Sequence, residues 1–205
     1  MMVKVIENEL LQDGSKSGKT LLHFAPEVGT RNWLRRHFPQ FEYRSADLFS
    51  PDVDLRLDLQ DMALPSNAVN VAILSHVLEH VDNDVQALRE LNRILVPGGY
   101  LFVQVPLSGA QETVEDKLDN AAARLARYGK TDHVRLYGTD LQGRLADAGF
   151  EVTAHIARIE PYHHQFLYMA LDLPEDSTML YENESTTFVC RKRLDHHFSL
   201  GYSAA

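Results

Sequence analysis

Residues 70–106 read NVAILSHVLEHVDNDVQALRELNRILVPGGYLFVQVP, and this stretch decides the fold. Residues 71–74, Val-Ala-Ile-Leu, are a short apolar run of the kind found in a strand buried on both faces. Asp82 is placed to cap a helix. Val85, Leu88, Leu91 and Leu95 then recur at helical spacing, with Glu90 and Arg93 toward water. Pro97-Gly98-Gly99 stops that helix and turns the chain. Residues 100–105 are rich in aromatic and β-branched side chains, which predicts a second buried strand. Strand, crossover helix and parallel strand make a βαβ unit. Ligands of such sheets sit beyond the carboxyl ends of the strands, so Ser75, His76, Glu79 and His80 are expected near a site.

Working toward the N-terminus, residues 58–61 (DLQD) and a polar turn at Ser66-Asn67 lead into this unit. Residues 53–57 read as a weak third strand. The link to it from Asp47 is too short for a crossover helix. Residues 41–46 look like a second strand ending in Asp47. An acid there either takes two ribose hydroxyls of a nucleoside or opens a polar turn. Residues 20–25, TLLHFA, read as the first strand, with Trp33, Leu34 and Phe38 on one helix face after it. Ala25, Pro26 and Glu27 stand where glycines would ease a ligand's approach to the helix amides. Residues 1–18 read as a helix or arm followed by a polar loop. GSKSGKT at 14–20 tempts a P-loop reading, but Asp13 occupies the position of the required glycine and the motif precedes its strand.

Toward the C-terminus, residues 112–127 are charged and alanine-rich and read as a helix. YGKTDHVRLYG follows at 128–138. Thr139-Asp140 can cap a helix whose inward stripe is Leu141, Leu145 and Ala148. Residues 150–156 and 186–191 read as the last two strands. The irregular stretch between them, 159–184, carries Tyr162, His163, His164 and Phe166 and has the length of a lid insertion. The whole chain, 1–205, is expected to be one domain.

With 205 residues, 44% of them hydrophobic and 24% charged, the chain has the composition of a soluble globular protein with a real core. A net charge of -9 and no long Lys/Arg run argue against nucleic acid as partner. The single cysteine, Cys190, excludes an intrachain disulfide, and no apolar run approaches a membrane span. A cytoplasmic protein with no membrane partner is expected. Nothing in the sequence specifies an oligomeric state.

His76-Val-Leu-Glu79-His80 matches H-x-x-E-H, the inverted zinc-peptidase signature. A zinc peptidase also needs a long helix carrying the motif and a third ligand from elsewhere. Here the motif lies between a buried strand and a capped helix. It reads as a strand-end turn with histidines at a cleft rim, and no metal site is expected. A zinc hydrolase remains an alternative.

Together these residues resemble the class I S-adenosylmethionine-dependent methyltransferases, and especially methyltransferase type 11. The most specific parts are DLQDMALPSNAVNVAILSHVLEHV and ALRELNRILVPGGYLFVQVP, with LLHFAPE and DHVRLYG resembling a narrower bacterial set. The resemblance implies an α/β, doubly wound, mostly parallel seven-stranded Rossmann-like sheet with an antiparallel last strand. It implies S-adenosyl-L-methionine as cofactor and transfer of its methyl group to a small-molecule or metabolic-intermediate acceptor. A protein that binds the cofactor without transferring methyl is the alternative.

Carried over by position, the family's glycine-rich loop falls on residues 23–29, with Ala25 in it and only Gly29 matching a loop glycine. His23 replaces the usual acid. Asp47, with Leu48 beside it, matches the ribose-binding acid. Asp58 and Leu59 match the pair at the adenine. Ser75 and His76 match the end of the fourth strand, at the methionine portion and the methyl group. Glu27 is expected to replace the missing acid by pairing with the cofactor's ammonium. The other reading has it turned outward at a helix start, where acids are also favoured. His133 is the first candidate for a general base and His76 the second. Asp132 is expected to orient His133, and Arg135 to bind an acidic acceptor.

Overall fold

The structure, a computed structural model, describes residues 2–12, 18–108, 110–156 and 186–194. Seven strands form one sheet: β1 (Lys19–Phe24), β2 (Phe41–Asp47), β3 (Leu55–Arg56), β4 (Val69–Ser75), β5 (Leu95–Gln104), β6 (Phe150–Ile156) and β7 (Thr186–Lys192). Their order is β3-β2-β1-β4-β5-β7-β6. The first five are mutually parallel, and β7 runs antiparallel between β5 and β6. This is the Rossmann-like sheet expected from the sequence. The strand order reverses at β1, between β2 and β4, which is where such sheets open a ligand crevice.

The run 71–74 shows why this sheet is buried twice. Successive side chains on a strand face opposite ways. Ala72 and Leu74 join Leu22, Phe24, Leu101 and Val103 in one core, beneath α3 (Asp84–Ile94) and α5 (Leu141–Asp147). Val71 and Ile73 join Leu21 and Phe102 in the other, beneath α1 (Met2–Gln12) and α2 (Val28–His37). Helix α1 is no loose arm: Met2, Val5, Ile6 and Leu10 are buried in that second core. The broken P-loop stretch lies mostly outside the described residues, and so do Tyr162, His163, His164 and Phe166 of the expected lid.

Several local expectations give way to longer-range contacts. The cap of α3 is Asn83, whose side chain accepts from the Gln86 amide, and not Asp82. Val85 is exposed; the inward stripe is Ala87, Leu88, Leu91 and Ile94. Glu90 and Arg93 do not face water freely. Arg93 donates to the carbonyls of Met62 and Leu64, and Glu90 accepts from the Met62 amide, so the pair clamps the loop before β4. Pro97-Gly98-Gly99 lies inside β5, at a shift in its register with β4. A Cβ on Gly99 would stand 2.8 Å from the Val96 carbonyl oxygen, so the close approach there needs glycine. The expected helix over 112–127 shortens to α4 (Ala121–Tyr128).

Candidate active site

The carboxyl ends of β1, β2 and β4 open into one cavity of ≈ 550 Å³. Six of the residues carried over from sequence line it: Ala25, Asp47, Leu48, Asp58, Leu59 and His76. Glu27, Gly29, Ser75 and His133 do not form its wall. The sequence reading passed over Phe49 and Gln60 as wall residues. It had His80 only at the rim and Asp132 only as a partner of His133. Phe49 is 82% exposed.

Backbone strain marks the strand ends. Ala25, directly after β1, has φ 43°, and His76, directly after β4, has φ 53°. Non-glycine residues rarely adopt this region, and strain of this kind collects at ligand sites. Gly29, by contrast, lies in the first turn of α2, where an added Cβ meets nothing within 4 Å.

Two acids stand on the wall beyond β2 and β3. Oδ1 of Asp47 accepts from the amides of Phe49 and Ser50, at 2.7 and 2.8 Å. Oδ1 of Asp58 accepts from the Gln60 amide at 2.8 Å. In each case one oxygen fixes the turn and Oδ2 has no hydrogen-bond partner among the described residues. The missing crossover helix between β2 and β3 is replaced by a side-chain tie. Asp54 accepts from both the amide and the hydroxyl of Ser45, which holds its carboxyl below the usual carboxylate range.

Across the cavity, His76 and His80 line the wall, and the buried His23 and His133 lie outside it. His23 is fully buried, and burial pushes its imidazole down to about 4, so it is neutral at pH 7. Its Nδ1 lies 3.0 Å from the Tyr43 hydroxyl. Its Nε2 is buried without a hydrogen-bond partner, 4.0 Å from the Glu27 carboxylate. Glu27 occupies the N-cap position of α2 but makes no side-chain cap, and its side chain is half exposed.

Beyond β4, HVLEH forms a 3-10 turn (Leu78–His80) rather than a helix carrying a peptidase motif. Glu79 is buried at 1% exposure; its Oε1 lies 3.3 Å from His76 Nδ1 and its Oε2 has no partner. The hydrogen bond to Glu79 raises the pKa of His76 above the ordinary imidazole value, against the opposing effect of burial. His133 packs edge-on against the His80 ring, with centroids 4.7 Å apart. Burial pushes its pKa down. Asp132 approaches His80, not His133: its carbonyl oxygen lies 3.2 Å from His80 Nδ1 and its carboxylate 3.4 Å.

Arg135 is not available to an acceptor. It is 3% exposed, and its guanidinium donates to the carbonyls of Leu78, Val81 and Asp82 and to Glu115. It pins the 3-10 turn to the DHVRLYG segment. Beside it, Asp84 accepts from Tyr137 at 2.9 Å and Arg144 at 3.1 Å, and Glu115 also pairs with Arg144. Fully satisfied networks of this kind hold a loop in one arrangement.

This geometry agrees with comparisons to known proteins. A family profile described as "Methyltransferase domain" matches residues 7–155. No curated protein sequence matches the chain. Among solved structures, the CurJ carbon methyltransferase superposes with a TM-score of 0.61 at 18% identity, over 93% of this chain and 52% of that one. An S-adenosylmethionine-dependent methyltransferase from Mesorhizobium loti superposes at 0.57 with 18% identity, over 94% of this chain and 100% of that one. Haemonchus contortus phosphoethanolamine N-methyltransferase 2, in complex with phosphomonomethylethanolamine and S-adenosylhomocysteine, superposes at 0.60 with 12% identity, over 88% and 50%. The chain thus spans about half the length of two of these three. The chain belongs to the methyltransferase-domain family.

Proposed function

We propose that the cavity holds S-adenosyl-L-methionine across the β1 crossing point and that its acceptor is a small molecule. The observation that carries this reading is the pair Asp47 and Asp58, each with one carboxylate oxygen fixed by its own turn and the other unpaired among the described residues. Asp47 takes the ribose hydroxyls and Asp58 the exocyclic amine of adenine, with Leu48 and Leu59 lining the same cavity. The left-handed turns at Ala25 and His76 bring the ends of β1 and β4 to the methionine half, with Ser75 immediately before His76.

Glu27 receives the ammonium group. Its carboxylate lies 4.0 Å from His23, which stands where the family's usual acid would be. With Tyr43 donating to Nδ1, His23 is left with an N–H at Nε2 facing Glu27. A neutral ring there leaves the charge of the acid uncancelled. Gly29 serves the start of α2.

When bound, the cofactor supplies a methyl group on a sulfonium; an acceptor lone pair bonds to the methyl carbon while the carbon–sulfur pair stays on sulfur. The chain supplies alignment, which alone removes much of the barrier to such a displacement. His76 and His80 form the wall at the acceptor end, while His133, packed behind His80, positions that ring. The cavity size and the net charge of -9 favour a compact acceptor over a nucleic acid. No helix among the described residues is long and apolar enough to cross a membrane.

Calorimetric titration with S-adenosylhomocysteine, followed by a screen of small acceptors for its release from S-adenosylmethionine, tests the reading. Binding that weakens in Asp47→Asn and Asp58→Asn, and turnover with a small acceptor, are expected. Unchanged affinity in both variants would overturn the cofactor assignment.

A further inference from the structure

Glu79, His80 and His133 come from two segments that meet only in the folded protein, and each offers one donor atom within 4.8 Å of the other two. Two of the available donors, Glu79 Oε2 and His133 Nδ1, are buried with no hydrogen-bond partner among the described residues. An unpaired carboxylate oxygen in an apolar surrounding is costly unless something completes it. His80 is arranged as metal-binding histidines are. Its Nδ1 faces the Asp132 carbonyl and carboxylate, which leaves Nε2 for a ligand. His76 on Glu79 Oε1 is a second outer partner, orienting the acid through one oxygen while the other stays open.

We propose that Glu79, His80 and His133 bind one divalent first-row transition metal, of the zinc type, at the acceptor end of the cavity. Two imidazoles and one carboxylate suit such an ion and leave coordination positions open. Ligands about 2.1 Å from a metal lie about 3–4 Å apart, so closure needs about an ångström of side-chain movement. The site differs from the one that H-x-x-E-H suggests: His133 is the third ligand, and His76 supports Glu79 instead of binding. Because His80 also lines the cavity, an open position there takes an oxygen donor of the acceptor. Coordination eases loss of that oxygen's proton to solvent, and its lone pair then attacks the methyl carbon. This consequence for the acceptor rests on the cleft reading above; metal binding itself does not.

The test uses untagged, chelator-stripped full-length protein dialysed against zinc or cobalt(II) chloride, with metal content and the cobalt visible spectrum as readouts. One ion per chain is expected, with d–d bands of a nitrogen and oxygen site. Affinity should fall at least 100-fold in Glu79→Gln and His133→Ala, and be kept in His37→Ala, on the far helix α2. His80→Gln changes a surface ring and gives the same loss where the two buried replacements fail to fold. Absence of saturable one-to-one binding in the wild type, or equal binding in the folded ligand variants, overturns the proposal. S-adenosylhomocysteine binding on the same samples separates this outcome from failure of the cleft reading, since each can fail while the other holds.

Discussion

The two walls of the cavity are built on opposite principles. On the side proposed for adenosine, Asp47 and Asp58 are held by amides two or three residues away, in turns that close locally. On the side proposed for the acceptor, the 3-10 turn is held by Arg135, whose carbonyl acceptors lie 53 to 57 residues earlier in the chain. The first wall tolerates loss of a carboxylate with little effect on folding. The second trades local independence for a rigid, buried arrangement of charged groups. A functional substitution should therefore separate affinity from stability on one wall and couple them on the other.

The largest effect is expected from Arg135→Met. It removes one donor from each of three backbone carbonyls and from Glu115, and leaves Asp84 with one cation fewer. Breaking a buried pair on one side costs about 3–5 kcal/mol. Urea unfolding should show a loss of that size. A loss under 1 kcal/mol would mean that the turn is held by something else.

His23 supplies a pH test of the methionine end. Its folded pKa, about 4, lies below the ordinary value of 6.5, so the unfolded chain takes up the proton first as pH falls. The stabilising neutrality is complete above pH 6.5 and is lost progressively down to about pH 4, for a total of about 3 kcal/mol. The difference in unfolding free energy between wild type and His23→Asn should change across that window and be flat above it. A constant difference would show that His23 is not buried neutral.

Next come the two acids of the first wall. Asp47→Asn and Asp58→Asn each remove a charged hydrogen-bond acceptor, and each should weaken S-adenosylhomocysteine binding by about 10- to 100-fold. The melting temperature of the free protein should hold within a few degrees. If either variant unfolds instead, the contrast between the walls fails. The smallest effect belongs to Glu27→Gln, since that side chain is half exposed: about a tenfold loss of affinity for S-adenosylmethionine. An unchanged affinity would place Glu27 outside the site.

The same contrast explains what the sequence made legible. The apolar run at 71–74, the helical stripe after it and the acids at strand ends are local patterns, and they lead to the sheet and to the first wall. Asp47, Leu48, Asp58 and Leu59 line the cavity because such patterns act over a few residues. Arg135 misleads for the opposite reason. A guanidinium in a polar, aromatic segment looks available until the fold carries three carbonyls to it. Asp82 and Asn83 are equally good cap residues on paper, and the turn geometry chooses between them. His133 carries no signal of its position behind His80; only the meeting of residues 79–80 with 132–133 reveals it. A partial signal existed, since H-x-x-E-H lacked a third ligand and the DHVRLYG segment held a histidine.

A crystal structure of the protein with S-adenosylhomocysteine tests the central claim most directly. The account predicts ribose hydroxyls on Asp47 Oδ2, the adenine amine on Asp58 Oδ2, the amino group within reach of Glu27 and the sulfur beside His76. Density for the ligand elsewhere, or an adenosine that touches neither aspartate, would contradict it.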